Sequence, residues 1–180
     1  MKSLIAMLGV LVLLAGCASN GESDAPTFQP VRDDDLVSRS YEAAEALLAQ
    51  VPWIRDNRQP LLTGTFVNIN SLENSSALGR IVAEQISSRF AQDGFTMVEM
   101  KLRQNVFIQQ NGGEFVLSRE VRNLSRVHNA QAVIAGTYAV GRRNVYVTAR
   151  LIRAADNLVL AAYDYSMPLG PDAKALLASQ

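Results

Sequence analysis

The chain holds one cysteine, one histidine and one tryptophan among 180 residues. A single cysteine has no intramolecular disulfide partner, so no disulfide framework supports the fold. One histidine and one cysteine are too few for a zinc or iron site of ordinary ligand spacing. No cofactor is expected. Nucleophilic catalysis finds little support: no Gly-x-Ser-x-Gly elbow is present, and His128 is the one imidazole available as a base. A lone histidine near a helix end more often favours the helix dipole than carries chemistry. Lysine plus arginine (17) balances aspartate plus glutamate (17), so no basic excess draws the chain to nucleic acid. Internal repeats are also lacking.

The N-terminus, in contrast, is rich in signal. Lys2 supplies a positive start, and Leu4 to Leu14 is an apolar run interrupted only by small residues. The run falls short of the about 20 apolar residues that span a membrane. Residues 1–16 therefore read as an export signal. Leu14-Ala15-Gly16-Cys17 resembles the lipobox of bacterial lipoprotein precursors. That resemblance implies cleavage between Gly16 and Cys17, a diacylglycerol on the Cys17 thiol and acylation of the new amine. Three acyl chains give a stable anchor, since each buried methylene contributes about 0.8 kcal/mol and one chain alone is marginal. Residues 17–32 are mostly Ser, Asn, Gly, Glu, Asp and Pro and read as a flexible tether. About 15 such residues reach at most about 50 Å, so the domain stays near its membrane.

Residues 33–170 read as one α/β domain of mixed α+β character, and residues 171–180 as a tail or short helix. Asp33-Asp34-Asp35 opens a helix whose face is Leu36, Ser40, Ala44 and Leu47, ending at Pro52. Leu61 to Ile69 is a strand. Ser75 or Ser76 caps a second helix with the stripe Leu78, Ile81, Val82, Ile86 and Phe90, closed by Gly94. Phe95 to Met100 is a strand, and Lys101 to Gly113 reads as irregular, with a turn at Asn111-Gly112-Gly113. Ser118 caps a third helix. Three strands follow, Ala132–Val140, Val145–Arg153 and Leu158–Ser166, joined by short turns. The order α-β-α-β-α-β-β-β predicts one mixed sheet of about five strands, parallel through crossovers and then antiparallel, with three helices packed on it.

Candidate functional residues are few. Arg119, Arg122 and Arg126 stand at i, i+3 and i+7 and form a candidate docking face for lipid headgroups, cell-wall carboxylates or an acidic partner. A solvated helix face is the commoner explanation of such a row. Glu73, Glu84, Glu99, Glu114 and Glu120 suggest no particular acid–base pair. Ser75 to Arg80 places hydroxyls, a glycine and an arginine at a helix start, where anions can bind. It lacks the glycines and lysine of a phosphate loop, and a capped helix packed closely on the sheet is the preferred reading. Trp53, Tyr163 and Tyr165 are read either as a contact surface or, preferably for Trp53, as packing beneath the chain entering the sheet.

Several segments together resemble the FlgO family of flagellum-associated outer-membrane lipoproteins. They are Thr65-Phe66-Val67-Asn68, Ser75-Ser76-Ala77-Leu78-Gly79-Arg80, Gly94-Phe95, Gly113 to Glu120, and Gly136-Thr137-Tyr138. The resemblance spans about residues 40–165. It implies a non-enzymatic lipoprotein of the cell outer membrane, its domain facing the periplasm, linked to flagellar assembly, stability or motility. Its partners would lie in the flagellar basal region or the cell envelope, and no catalytic residues carry over. Ala18 and Ser19 follow Cys17 without the Asp that commonly retains lipoproteins in the inner membrane. The element order is also similar to lipoprotein activators of peptidoglycan synthases and to curli-type secretion lipoproteins. A curli-type pore needs long amphipathic strands, and no clear pair is present. The alternative function is therefore a synthase activator or another envelope-assembly factor.

Overall fold

The computed structural model describes residues 30–57, 59–100, 107–109 and 115–179. The export signal, Gly16, Cys17 and the tether up to residue 29 lie outside them, as do the turn signal at 111–113 and Glu114. Four helices and seven strands follow in order: α1 (Leu36–Gln50), β1 (Leu61–Asn68), α2 (Ala77–Gln92), β2 (Met97–Glu99), β3 (Phe107–Gln109), β4 (Phe115–Leu117), α3 (Arg119–Val127), β5 (Ala132–Val140), β6 (Asn144–Arg153), β7 (Val159–Pro168) and α4 (Pro171–Ala178). A single 3-10 turn, Pro52–Arg55, follows α1.

Five strands form one sheet in the order β2-β1-β5-β6-β7. β1 runs parallel to both β2 and β5, and β5–β6 and β6–β7 pair antiparallel. The expected mixed sheet is thus the observed one. Two differences stand beside it. The helices number four rather than three, because α4 forms beyond residue 170 and packs on α2. The stretch read as irregular contains a strand, β3, which pairs antiparallel with β4 just beyond it in a separate sheet of three-residue strands. Three residues are too few to show alternation, so only the turn signal between the two strands was visible in the sequence.

Each face of the sheet carries its own core. α1 and α2 cover one face with Leu47, Ile86 and Phe90, which meet Leu61, Phe66, Ile134 and Leu151. On the other, Phe107, Leu117 and Val121 meet Leu62, Val133 and Ile152. Central β5 is therefore buried on both faces, which explains its near-continuous apolar sequence. β6 alternates as expected: Val145, Val147, Ala149 and Leu151 are buried while Tyr146 is 55% exposed. Ile152 breaks the alternation and is buried on the opposite face, in the second core.

Helix ends follow their local chemistry. Asp35, Ser76 and Ser118 accept from the backbone N–H three residues on, at 3.0, 3.4 and 3.3 Å. Gly94 has φ +93° and closes α2, with Gly94 N–H donating to Ala91 and Phe95 N–H to Phe90. Asn129, at φ 51°, closes α3 through the same pair of bonds, to Arg126 and Ser125.

Three of the five family-like segments converge on Phe66. Gly79 presses against the Phe66 carbonyl, and Gly136 lies against the Phe66 ring and the Thr148 carbonyl. Ser75 Oγ donates to Phe66 O at 2.8 Å. Tyr138 Oη accepts from Ser76 N–H at 3.2 Å. Any side chain at Gly79 or Gly136 would collide with backbone oxygen. Gly79→Ala and Gly136→Ala should each lower unfolding free energy by about 1–3 kcal/mol, read by urea titration of the purified protein. An unchanged midpoint for both would show that the contact relaxes freely.

Candidate functional site

The two ends of the sheet are chemically different. At one end lie the carboxyl ends of β1, β5 and β7 together with the point where the chain enters the domain. Asp33 marks that entry: its carboxylate accepts from the N–H groups of Asp172 (2.8 Å) and Ala173 (3.0 Å) and so caps α4. Leu169 N–H donates to Arg143 O at 2.7 Å, which places the β5–β6 turn beside the entry. Asp34 accepts from Arg39 Nε at 2.7 Å, and that bond holds its carboxyl below the usual range. Asp35 caps α1, and the Ser38 N–H lowers its pKa in the same way. The three neighbouring aspartates thus do three separate structural jobs, and no group of three or more His, Cys, Asp or Glu among the described residues is arranged to hold a metal.

This end also has a polar cleft of about 290 Å³, lined by Asn68, Glu73, Asn74, Ser75, Ser76, Tyr138, Val140 and Leu177. The start of α2 beside it is already satisfied. Ser76 Oγ accepts from Gly79, and Ala77 N–H donates to Ser179 O at 2.8 Å. Arg80 turns back to donate to Ser75 O at 3.0 Å. The preferred reading of Ser75 to Arg80, a capped helix closely packed on the sheet, is what the geometry shows.

The opposite end carries the arginine row. Arg119 and Arg126 are exposed, whereas Arg122 is half-buried and donates through Nη1 to Leu117 O at 2.8 Å. A shallow cleft of about 300 Å³ lies between the C-terminal half of α3 and the β6–β7 turn. Arg122, Ser125, Arg126, Asn129, Ala130, Ala154 and Ala155 line it. The row is therefore split: Arg122 and Arg126 line the cleft, Arg122 also bracing the start of its own helix, and Arg119 does not line it. His128 follows the last helical residue of α3 and is exposed. Glu84 and Glu99 share a recess with Arg80, and both are exposed; Glu120 sits in the first turn of α3.

The preferred reading of Trp53 as a packing residue is corrected. Trp53 is 50% exposed, and its neighbour Ile54 is the buried residue of the 3-10 turn. Adjacent residues on such a turn point apart, so only one can face the core. Tyr163 and Tyr165 do not join it in a surface. They stack with ring centroids 6.1 Å apart and pack with the core beneath α1. Tyr163 Oη donates to Glu42 Oε1 at 2.9 Å. The Tyr165 hydroxyl is buried and makes no hydrogen bond of good geometry, although the Ser40 hydroxyl, which donates to Gln85, lies nearby. Burial pushes the Tyr165 phenol up to about 12.

The geometry defines a single mixed α+β domain whose candidate sites are shallow clefts and helix faces. A family model described as FlgO protein matches residues 41–172. The chain belongs to the FlgO family. No curated protein matches it. Among solved structures, the LpoB C-terminal domain from Salmonella enterica is similar, with 13% identity, a TM-score of 0.45, and coverage of 71% of this chain and 96% of that one. LpoB from E. coli shows 11% identity and a TM-score of 0.47, over 79% of this chain and 71% of that one. The PelC dodecamer from Paraburkholderia phytofirmans shows 14% identity and a TM-score of 0.41, over 67% and 82%.

Two predictions follow from the capped entry and the buried phenol. Asp33→Ala removes the cap of α4 and should cost about 1 kcal/mol in urea unfolding. Tyr165 ionises at about 12 in the folded state against a reference of 10.0. The unfolded chain releases its proton first, so stability falls as pH rises between those values. Tyr165→Phe should remove that part of the alkaline decline. At neutral pH it should be nearly neutral, because it deletes an unpartnered hydroxyl. Identical alkaline curves for the two proteins would refute the assignment.

Proposed function

We propose that the protein is a non-enzymatic lipoprotein, anchored through Cys17 in the outer membrane with its domain in the periplasm, that serves as an accessory component of the flagellar basal region. The observation that carries this reading is the FlgO match over residues 41–172 behind a lipobox-like Leu14-Ala15-Gly16-Cys17. Among the described residues no helix is long and apolar enough to cross a membrane; the lipobox-like segment is what supports attachment through lipid. The short tether favours a partner close to that membrane. An activator reaching an inner-membrane synthase through the cell wall would need a longer arm.

The element order supports a second reading, an activator of a peptidoglycan synthase. Adding the purified protein to a synthase assay separates the two, since only the activator raises the rate.

Cys17→Ser should move the protein from the membrane to the soluble fraction with its unfolding curve unchanged. Persistent membrane attachment after signal removal would end the anchor reading. Deleting the gene should reduce swimming or the number of filaments. Normal motility and normal filaments in a flagellated host would end the flagellar reading.

A further inference from the structure

We infer that the cleft between α3 and the β6–β7 turn, with Arg122 and Arg126 in its lining, docks an acidic, aliphatic-rich segment of a partner protein. This deepens the accessory role proposed above and rests on it for where the partner is met.

Charge is the first argument. Arg39, Arg55, Arg89 and Arg153 each have a carboxylate partner. Arg119, Arg122 and Arg126 have no ion pair among the described residues, and no carboxylate lines the cleft. Arg153, near its rim, is already neutralised by Asp156 at 2.7 Å. The nearby Glu120 lies in the first turn of α3, at the other end of that helix from the cleft. A guanidinium left without a counterion beside a concave surface favours an incoming carboxylate, and bidentate geometry adds specificity.

Apolar exposure is the second argument. Val127, next to Arg126, is 77% exposed, the highest value among the large apolar residues described. Leu158 and Val159, which follow the turn forming the cleft's other wall, are 52% and 53% exposed. Arginine beside exposed aliphatic side chains is a composition that suits a protein interface. A glycan would be met by aromatic faces, and the cleft lining contains none.

Position is the third argument. β5 runs from the cleft end to the entry end, and its nine residues span about 30 Å. The cleft therefore opens at the pole opposite Asp33, where the tether enters. The tether joins the domain at the other pole, so the attachment point does not cover the cleft.

The test uses the mature chain carrying Cys17→Ser and fluorescein-labelled synthetic peptides. One alternates Glu and Leu, a second Glu and Ser, a third Lys and Leu. The Glu–Leu peptide should bind in a salt-dependent manner, better than Glu–Ser, and the Lys–Leu peptide should not bind. Arg126→Glu and Val127→Asp, both surface changes, should each weaken Glu–Leu binding by about tenfold or more. Arg142→Glu, at the other pole, should leave it unchanged. Absence of Glu–Leu binding, or an equal loss with Arg142→Glu, overturns the proposal. So does retention on peptidoglycan sacculi or anionic vesicles that Arg126→Glu abolishes while peptide binding persists. In cells, the Arg126→Glu/Val127→Asp protein at normal abundance in the membrane fraction should swim as poorly as the deletion. Normal swimming by that variant beside a defective deletion overturns the cleft and leaves the flagellar reading intact. A deletion without defect removes the flagellar reading, and the peptide measurements then decide the cleft alone.

Discussion

The close approach of α2 to the sheet at Phe66 is the contact on which the rest of the fold depends. Two glycines, one on the helix and one on central β5, leave room for it: Gly79 against the Phe66 carbonyl and Gly136 against its ring. Ser75 and Tyr138 add hydrogen bonds at the same place. This contact sets the height of α2 over β1 and β5. It also sets the seat of α1 and α4, both of which pack on α2. Interiors at crystal-like density do not yield to such intrusions, so a methyl group at either glycine propagates. Segments 65–68, 75–80 and 136–138, scattered in sequence, are parts of this one contact.

The sheet's edges and ends show how the domain separates architecture from surface. β7 is an edge strand of ten residues. Gln50 of α1 reaches it like a fragment of a sixth strand, donating to Ala162 O at 2.8 Å and accepting from Ala162 N–H at 3.3 Å. Asp164 is exposed on the same strand and Pro168 ends it. Charge, proline and a covered backbone group are the means by which edges avoid unwanted pairing. One pole is held by Asp33 and the Arg143–Leu169 bond, while the other carries Arg126, without an ion pair among the described residues, beside the exposed Val127. The same topology that places every crossover turn at one end or the other thus gives an anchored pole and a free one.

Much of the architecture was legible because burial imposes periodicity. The stripe of α1, the alternation of β6 and the continuous apolar run of β5 appear as the sequence implied, and so does the stripe of α2 except for Ile81, which is only half-buried and outside both cores. Caps at Ser76 and Ser118 and the glycine at 94 were equally legible, since they act within a few residues of themselves. Illegible features depended on distant partners. The pairing of β3 with β4 is too short to leave a pattern. Trp53 and Ile54 are both apolar neighbours, and only the packing of the turn decides which faces inward. Asp33 looked like a cap for the helix that follows it, but its carboxylate closes α4, 139 residues away. On the arginine row, spacing alone gave equal weight to three residues. Arg122's bond to Leu117 O separates it from Arg126.

By itself the sequence determined the order of the five sheet strands and three helices, most of their buried faces, the lipobox-like segment and the family resemblance. All of these are encoded in local spacing and residue type. Only the tertiary structure decided which carboxylates are structural, which arginines line a cleft, and that this cleft lies at the pole away from the chain's entry. Those facts depend on which residues far apart in sequence meet when helices close over the sheet. Three-dimensional packing sets such meetings, and no local pattern records them.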